Sequence, residues 1–367
     1  MTDTTNRALW QDGVGVPGAI RESPLATRNQ LGDHKVLIKV HAWAINPCDH
    51  MLQDRNMVNY PLILGCDVAG TIEAVPSAST SLFRVGDRVF GFSANNGFQD
   101  YVQVEDRLIT KIPDGMAYRD VVGFGLCSAT SAMYLFGQDY LALEYPTLKA
   151  PKQEKSVLVW GGASAVGSNA IQLVSAAGYE VITTCSKQNF DYVKKLGAAE
   201  AYDYRDLDVV DKVAAKLDKG ICAGVFMAAG LKEGNVAACR TAAASKQMLS
   251  LASSDYIFNL NEMPKGNFIV KQPTPEQFKP FPDCWFETTQ ATFGGYLPEA
   301  LANDVYEVAP QPLVVNRKGL EGIQEAVDLM RIVSEKGLDG IRDVFERLRG
   351  GVGTDDLPPV KLIVERA

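Results

Sequence analysis

Residues 157–167 read Val-Leu-Val-Trp-Gly-Gly-Ala-Ser-Ala-Val-Gly, a short apolar run that ends in a turn of small residues. Beyond this turn, Ala170, Leu173, Val174 and Ala177 recur at the i, i+3, i+4, i+7 spacing of an amphipathic helix. The turn has the pattern G-x-G-x-x-G with serine at the second glycine. The stretch therefore predicts a strand, a glycine-rich turn and a helix whose N-terminus can bind a diphosphate.

The predicted phosphate contacts come from the turn itself, at Ala163, Ser164, Ala165 and Val166. Serine crowds the second glycine position, although its hydroxyl can donate to a phosphate oxygen. An ordinary glycine-rich turn is the alternative. The strand before the turn and the helix after it favour nucleotide binding.

Strand-like and helical segments continue to alternate as far as residue 251. Helical segments are indicated at Asn189–Leu196 and by the spacing of Val209, Val213 and Leu217. The further strand-like runs are Val181–Cys185, Ala199–Tyr202, Val225–Ala228 and Met248–Leu251. This alternation predicts an α/β fold with a doubly wound parallel sheet.

Upstream, short apolar runs are separated by turn residues, at Val36–Ala44, Asp67–Val75, Arg84–Phe92 and Gln99–Val104. In the first run two sets of residues alternate, namely Val36, Ile38, Val40 and Ala42 against Leu37, Lys39, His41 and Trp43. A period of two is typical of a strand with two unlike faces. These runs predict an antiparallel, barrel-like β domain.

The composition narrows the class of protein. Of 367 residues, 46% are apolar and 22% charged, as in globular proteins, and the net charge of −8 argues against binding to nucleic acid or acidic membranes. The seven cysteines form no CxxC motif, so neither a disulfide framework nor a structural zinc site is indicated. The N-terminus shows no secretory signal. The longest uncharged run, residues 121–137, is too short to span a membrane. We therefore expect a soluble, cytoplasmic protein with reduced thiols.

The residues after the second predicted strand favour one coenzyme. A ribose 2′-hydroxyl is usually held by an acid about 20 residues past the glycines. Here the corresponding stretch, Thr183–Asn189, contains no acid, and the next acid is Asp191. Ser186, Lys187 and Asn189 occupy that region, with Tyr204 after the third strand. Serine and lysine can bind a 2′-phosphate, which a carboxylate would repel. The sequence therefore predicts NADPH (NADP) rather than NADH, the alternative being that Lys187 is only a solvated charge.

In this order, these features resemble the medium-chain dehydrogenase/reductase superfamily. The matching segments are Ala44–Asp49, Leu64–Gly70, Val85–Gly91, Gly162–Gly167 and Lys361–Val364. The resemblance implies a GroES-like β-barrel domain over residues 1–128, a Rossmann domain over residues 129–290, and a C-terminal return to the first domain over residues 291–367.

Within that superfamily the chain looks most like the zinc-free branch of quinone oxidoreductase-like proteins, and most closely like fungal trans-acting enoyl reductases of polyketide pathways. The segment Thr184–Asp191, followed by Asp203–Arg205, points to this subgroup. Zinc-dependent members have cysteine where this chain has Asn46, a His-Glu pair where it has Cys66–Asp67, and a cysteine near Cys127. Asparagine is a poor zinc ligand, so we expect no metal. The alternative is that Cys66, Asp67 and Cys127 converge to hold zinc, whereas the simpler interpretation makes the two cysteines small buried apolar residues.

The resemblance implies an NADPH-dependent, zinc-independent oxidoreductase that reduces the activated C=C bond of an α,β-unsaturated carbonyl or enoyl substrate. The alternatives are a quinone or aldehyde/alcohol oxidoreductase on the same scaffold and a non-catalytic NADPH-binding protein. The implied partners are a small apolar or acyl substrate and a polyketide synthase carrier domain. A monomer and a homodimer both remain open.

Further site residues follow from the resemblance. His50 is the candidate proton donor, with a packing role as the alternative. Coenzyme contacts are implied at Cys48, Asp49, Leu251 and Ala252. Substrate contacts are implied at Thr130, Ser131, Thr292, Phe293 and Gly294, with hinge or cap roles equally open for the first two.

Residues 253–312 lack clear periodicity and are rich in aromatics, including Tyr256, Phe278, Phe281 and Phe293. Three interpretations remain open: a surface segment with its own small core, an apolar lid or pocket wall, and an edge used in oligomerisation.

Overall fold

The computed structural model describes residues 5–76, 82–93, 96–229, 231–255, 258–272, 283–349 and 359–366. The chain divides into unit 1, residues 1–126 and 311–367, and unit 2, residues 127–310. The return to unit 1 thus begins at Gln311, not after residue 290 as we expected. The reason is that residues 291–310 remain bonded within unit 2, where the Tyr306 hydroxyl lies 2.7 Å from Asn169 Oδ1.

The strands of the described residues are numbered in chain order. They are β1 (Asn6–Gln11), β2 (Ala19–Ser23), β3 (Lys35–Ala44), β4 (Leu62–Ile63), β5 (Asp67–Ala74), β6 (Arg88–Phe92), β7 (Tyr101–Glu105), β8 (Ile109–Lys111), β9 (Lys155–Trp160), β10 (Glu180–Cys185), β11 (Ala198–Asp203), β12 (Ile221–Met227), β13 (Leu249–Ser253), β14 (Phe268–Val270), β15 (Gln311–Asn316) and β16 (Val360–Glu365).

The helices are numbered likewise. They are α1 (Pro47–Asp54), α2 (Tyr118–Val121), α3 (Gly125–Phe136), α4 (Ala165–Ala176), α5 (Phe190–Lys195), α6 (Val209–Leu217), α7 (Leu231–Ala244), α8 (Asp283–Gln290), α9 (Leu297–Ala302), α10 (Ile323–Lys336) and α11 (Leu338–Arg349). A π-helix, Ala291–Tyr296, joins α8 to α9. Among these helices, none has the length and apolar character that crossing a bilayer would require.

Unit 2 is built on a six-stranded parallel sheet in the order β11-β10-β9-β12-β13-β14. Numbered from β9, this is the order 3-2-1-4-5-6 of the Rossmann fold. Helices α4 to α7 each connect two consecutive strands of this series. The predicted doubly wound sheet is therefore confirmed, and the residues that predicted α4, such as Leu173 and Val174, are fully buried.

The sixth strand, β14, is missing from the sequence prediction. It has three residues, too few to show a period of two, and it lies in the aromatic-rich region. Within that region, Phe268 packs against the hydrophobic core of the sheet, whereas Phe293 and Tyr296 are buried in the segment from α8 to α9. Tyr256, Phe278 and Phe281 lie outside the described residues.

Unit 1 contains a seven-stranded sheet, in which β3 pairs with β5, β7 and β16, and a three-stranded sheet, β2-β1-β4. The predicted GroES-like β domain is present. The two faces of β3 are less distinct than its alternation indicates, because Leu37 and Trp43 are buried along with Val36 and Ile38. A central strand is covered on both faces, and the Trp43 indole donates to the Gly97 carbonyl at 2.9 Å.

Candidate active site

The glycine-rich turn between β9 and α4 is so closely packed that two positions exclude any side chain. A Cβ at Gly162 would lie 2.1 Å from Thr183 Oγ1, and a Cβ at Gly167 would lie 2.2 Å from the Gly161 carbonyl oxygen. The turn therefore brings the start of α4 against the end of β9. This is the close helix–strand approach that a dinucleotide turn requires.

Ser164 is the N-cap of α4, and its hydroxyl is engaged within the turn. Its Oγ accepts from the Gly167 N–H at 3.0 Å and donates to the Gly161 carbonyl at 2.8 Å. The hydroxyl proton that we expected to reach a phosphate is thus used locally. The N–H groups of Ala165 and Val166, in the first helical turn, have no carbonyl one turn earlier and are the donors that an anion can use.

Ser131 supports this turn from α3. Its hydroxyl is fully buried, 2.9 Å from both the Cys127 and the Val166 carbonyl oxygens. That geometry corresponds to a bracing role rather than to the substrate contact that the resemblance implied. Its neighbour Thr130 is only half-buried.

Ser186, Lys187 and Asn189 lie together just after β10. Asn189 Nδ2 donates to Ser186 Oγ at 3.0 Å, which leaves the serine hydroxyl proton for another acceptor. The Lys187 side chain is exposed, while its backbone N–H donates to Asp203 Oδ2 at 3.3 Å. Ser186 and Lys187 are therefore placed to offer a donor and a positive charge.

Asp203, at the end of β11, belongs to the segment that points to the subgroup, but the sequence assigned it no role at the site. It accepts from Arg205 Nε at 2.9 Å and from Arg205 Nη2 at 2.7 Å, and these bonds lower the pKa of the Asp203 carboxyl. The guanidinium lies 5.8 Å from the ring centroid of Tyr204, which is 44% exposed. Because Arg205 neutralises this carboxylate, its charge does not oppose a phosphate nearby as a lone acid would.

Leu251 and Ala252 lie inside β13 and are completely buried. The Leu251 side chain belongs to the core of the sheet, and its carbonyl accepts from the Lys271 N–H at 2.7 Å. In the structure these two residues pair with β12, and Leu251 packs in the core of the sheet. The coenzyme contacts implied for Leu251 and Ala252 stay a prediction.

In unit 1, the loop before α1 places Cys48, Asp49 and His50 on the first turn of that helix. Asp49 is fully buried, and one of its carboxylate oxygens accepts from the Asn46 N–H at 2.7 Å. Burial raises the pKa of Asp49 to about 7. Cys48 is half-buried and lies beside the buried Cys66, whose pKa is raised well above its usual value by the hydrogen bond with Cys48 and by burial.

His50 is 8% exposed and is bonded within unit 1. Its Nδ1 lies 3.3 Å from Asp54 Oδ2, and Asp54 also accepts from Arg331 of α10 at 2.8 Å. Burial lowers the pKa of His50, and the hydrogen bond with Asp54 opposes that shift. This placement favours the packing role that we kept as the alternative.

Asn46, Asp67 and Lys361 form a buried polar network, and the resemblance implies metal ligands at or next to the first two of these positions in zinc-dependent members. Asn46 Nδ2 donates to Asp67 Oδ2 at 2.9 Å, and the Lys361 ammonium donates to Asn46 Oδ1 and lies 3.4 Å from Asp67. The other Asp67 oxygen accepts from the Leu126 N–H at 2.5 Å. Burial raises the pKa of Asp67, and Lys361 opposes that shift.

These residues do not fit the family's zinc site. Asn46 and Asp67 use their side-chain atoms on each other, and the Lys361 ammonium already supplies a positive charge there. From the sequence, Lys361 is only the first residue of the closing segment Lys361–Val364, and no role at the site is assigned to it. The only local sign in the sequence is that Lys361 interrupts the apolar residues of the run Val360–Val364. In the structure its side chain is nearly completely buried, which a lysine tolerates only with partners.

The three residues of segment 291–296 that the resemblance assigns to the substrate differ in their exposure to solvent. Thr292 and Phe293 are fully buried, and the Thr292 hydroxyl donates to the Thr288 carbonyl at 2.8 Å. Gly294 is exposed, and open space surrounds the position where its Cβ would be. The segment is a π-helix, a rare element that often marks functional sites.

Two family models match the chain, an alcohol dehydrogenase GroES-like domain over residues 32–114 and a zinc-binding dehydrogenase domain over residues 165–272. A dehydrogenase of Aspergillus niger, orf1, is 34% identical over 350 residues, which cover 89% of this chain and 96% of the relative. The chain belongs to the medium-chain dehydrogenase/reductase superfamily. It is therefore an oxidoreductase, and its family uses a nicotinamide coenzyme.

Two further comparisons refine this placement. The trans-enoyl reductase himH of Aspergillus japonicus is 31% identical over 348 residues, covering 90% of this chain and 95% of the relative. Among solved structures, a quinone oxidoreductase of Pseudomonas syringae superposes with a TM-score of 0.66 at 20% identity, covering 98% of this chain and 99% of that one. That structural likeness shows the common fold.

Proposed function

We propose that this superfamily member reduces an activated C=C bond in an apolar or acyl α,β-unsaturated carbonyl compound, using NADPH and no metal. The observation that carries the proposal is the Asn46–Asp67–Lys361 network, in which a lysine charge and paired side chains occupy the region where the resemblance implies metal ligands in zinc-dependent members. The similarity to a trans-enoyl reductase over nine-tenths of the chain supports it.

The coenzyme is bound by residues of unit 2. The N-terminus of α4, with the N–H groups of Ala165 and Val166, binds the diphosphate, and Ser186 with Lys187 binds the 2′-phosphate. Arg205 neutralises Asp203 beside them. When bound, NADPH supplies the hydride.

The type of substrate follows from the charge that the reaction creates. Reduction of a simple ketone leaves a localised alkoxide, which a Lewis acid would stabilise. Addition to the β-carbon of a conjugated C=C leaves a delocalised enolate, which hydrogen-bond donors can stabilise, at about 3 kcal/mol for a well-placed donor. The half-buried Thr130 is the donor that we assign to the substrate carbonyl.

The proton for the α-carbon is assigned to solvent. His50 is not chosen because it is buried, its Nδ1 lies 3.3 Å from Asp54 Oδ2, and burial lowers its pKa. The exposed Gly294 contributes to the wall of the acyl site, while Thr292 and Phe293 support it from inside.

The test is the rate of NADPH oxidation with an enone, a quinone and an aldehyde of similar size, and with an enoyl chain both free and tethered to a carrier domain. We expect the enone and the enoyl chain to be reduced fastest, and dialysis against a chelator not to lower the rate. Preference for the quinone or the aldehyde would overturn the substrate assignment. Loss of activity on chelation would overturn metal independence.

A further inference from the structure

Three ligand-type side chains meet next to the Asn46–Asp67–Lys361 network. The Cys48 and Cys66 sulfur atoms and a carboxylate oxygen of Asp49 all lie within 4.8 Å of one another. Cys48 and Asp49 belong to the first turn of α1, and Cys66 directly precedes β5. Segments separated in the chain therefore bring one carboxylate and two thiols to one point.

An independent observation at the same point concerns Asp49. One of its carboxylate oxygens accepts from the Asn46 N–H, whereas its Oδ1 is buried and has no hydrogen-bond partner among the described residues. The side chain is 0% exposed. Leaving a buried oxygen without a partner is costly, and a cation or a donor at this place would remove that cost.

The donor set indicates the kind of cation. Two sulfur ligands and one carboxylate are the soft and borderline donors that Zn²⁺ and Cd²⁺ accept, whereas Mg²⁺ and Ca²⁺ prefer oxygen ligands only. Three protein ligands leave the fourth position of a tetrahedral site open. The half-buried Cys48 gives a cation access from the surface of unit 1.

This cluster differs from the metal position of the family. It shares with that position only Cys66, because Asn46 and Asp67 are engaged with each other and with Lys361. The Lys361 charge is balanced by Asp67, at 3.4 Å. The Cys48 and Cys66 thiols are hydrogen-bonded to each other, and a cation between them would replace that contact. Asp49 Oδ1 is the third ligand atom.

We propose that Cys48, Cys66 and Asp49 form a binding site for a thiophilic divalent cation, and that its occupation inhibits the enzyme. Binding replaces the two thiol protons, which pass to the buffer, by sulfur–metal bonds. The inhibitory part rests on the proposed function, since it takes Cys48 and Asp49 to be the coenzyme contacts that the family resemblance implies.

The binding test uses full-length, metal-free protein in a phosphine reductant, titrated with Cd²⁺ and followed by the ultraviolet thiolate-to-cadmium charge-transfer absorption. We expect one equivalent to saturate the signal. Cys48→Ser and Cys66→Ser should each weaken binding by at least about 100-fold, and Asp49→Asn by about 10-fold. The matched control is Cys284→Ser, a half-buried thiol in unit 2 outside the cluster, which should leave the titration unchanged.

Absence of the absorption in the wild type, or its persistence in Cys48→Ser, would overturn the site. Because Cys48 is partly exposed, its serine variant decides the matter even if Cys66→Ser fails to fold.

The inhibition test measures NADPH oxidation by the wild type with and without Cd²⁺, followed by a chelator. We expect loss of activity at one equivalent and recovery on chelation. Cadmium binding without loss of activity would overturn the inhibitory part. An enzyme inactive on the whole substrate panel would contradict the proposed function instead, and the absorption titration would still decide the site.

Discussion

Two regions of the molecule carry the proposed chemistry, and they are built in different ways. The phosphate turn of unit 2 is made of backbone: glycines that permit close approach and N–H groups at the start of α4. The polar site of unit 1 is made of side chains from separated segments, with Asn46, Asp67 and Lys361 meeting from three elements.

The difference determines what each region tolerates. A backbone site depends on the absence of side chains, so added volume should disrupt it while changes of charge nearby only adjust its selectivity. A buried side-chain network depends on complementary charge, so the loss of one partner should matter more than a change of volume. The predictions below test this contrast.

The largest effect is expected at Lys361. In Lys361→Met, the Asp67 carboxylate remains buried without its cation, which should lower the free energy of unfolding by about 3–5 kcal/mol. Urea unfolding at neutral pH measures it. Lys111→Met, which breaks the exposed pair of Lys111 with Asp87, is the control and should cost less than about 1 kcal/mol.

The double variant Asp67→Asn, Lys361→Met should recover most of that loss, because no unpaired charge remains. Equal destabilisation by the buried and the exposed lysine substitutions would contradict the account of the network.

In the turn, Gly167→Ala should weaken coenzyme binding by about 100-fold and lower stability by about 1–3 kcal/mol, because the new Cβ would meet the Gly161 carbonyl oxygen at 2.2 Å. Fluorescence titration with NADPH measures the affinity. Gly220→Ala is the matched control, since a Cβ there meets open space. Full affinity in the Gly167 variant would show that the turn does not hold the coenzyme.

Asp49 should make the stability of the protein depend on pH. The Asp carboxyl of an unfolded chain has a pKa of about 3.9, and in the folded chain the pKa of Asp49 is about 7, so the folded state binds this proton more tightly. The resulting stability is complete below about pH 4 and is lost as the pH rises to about 7.

Between about pH 5 and 8, the wild type should therefore lose about 2–3 kcal/mol relative to Asp49→Asn. Unfolding curves at several pH values measure this difference, and the exposed Glu73→Gln variant should keep the wild-type slope. Parallel curves for the wild type and Asp49→Asn would contradict the prediction.

The smallest effect is expected at Lys187. Lys187→Glu should weaken NADPH binding by about 10- to 100-fold and leave NADH binding nearly unchanged, since only the 2′-phosphate contact is lost. The exposed Lys194→Glu on α5 controls for the change in overall charge. Equal losses for both coenzymes would place Lys187 away from the 2′-phosphate.

The same contrast explains what the sequence could predict. The alternation of strands and helices in unit 2 and the turn at Gly162–Gly167 follow from local periodicity and the small size of a few neighbouring residues. The role of Lys361 depends on pairing between β16 and β3, which brings residue 361 to residue 46, and no local pattern contains that information.

The hydrogen-bond partners of the serine hydroxyls could not be predicted from the sequence either. Ser164 and Ser131 have hydroxyls that a sequence can assign to ligands, yet both are bonded to carbonyls within unit 2. Asp203 is the last residue of the third strand, β11. An acid that holds the ribose is expected at the end of the second strand, so the usual spacing from the glycines does not identify Asp203.

The central claim is that the turn at Gly162–Gly167 holds a diphosphate while Ser186 and Lys187 select the 2′-phosphate. Isothermal titration calorimetry of the wild type with NADPH and NADH tests it most directly. We predict saturable heat with NADPH and an affinity for NADH that is weaker by at least about 10-fold. No heat with either coenzyme, or equal affinity for both, would contradict the claim.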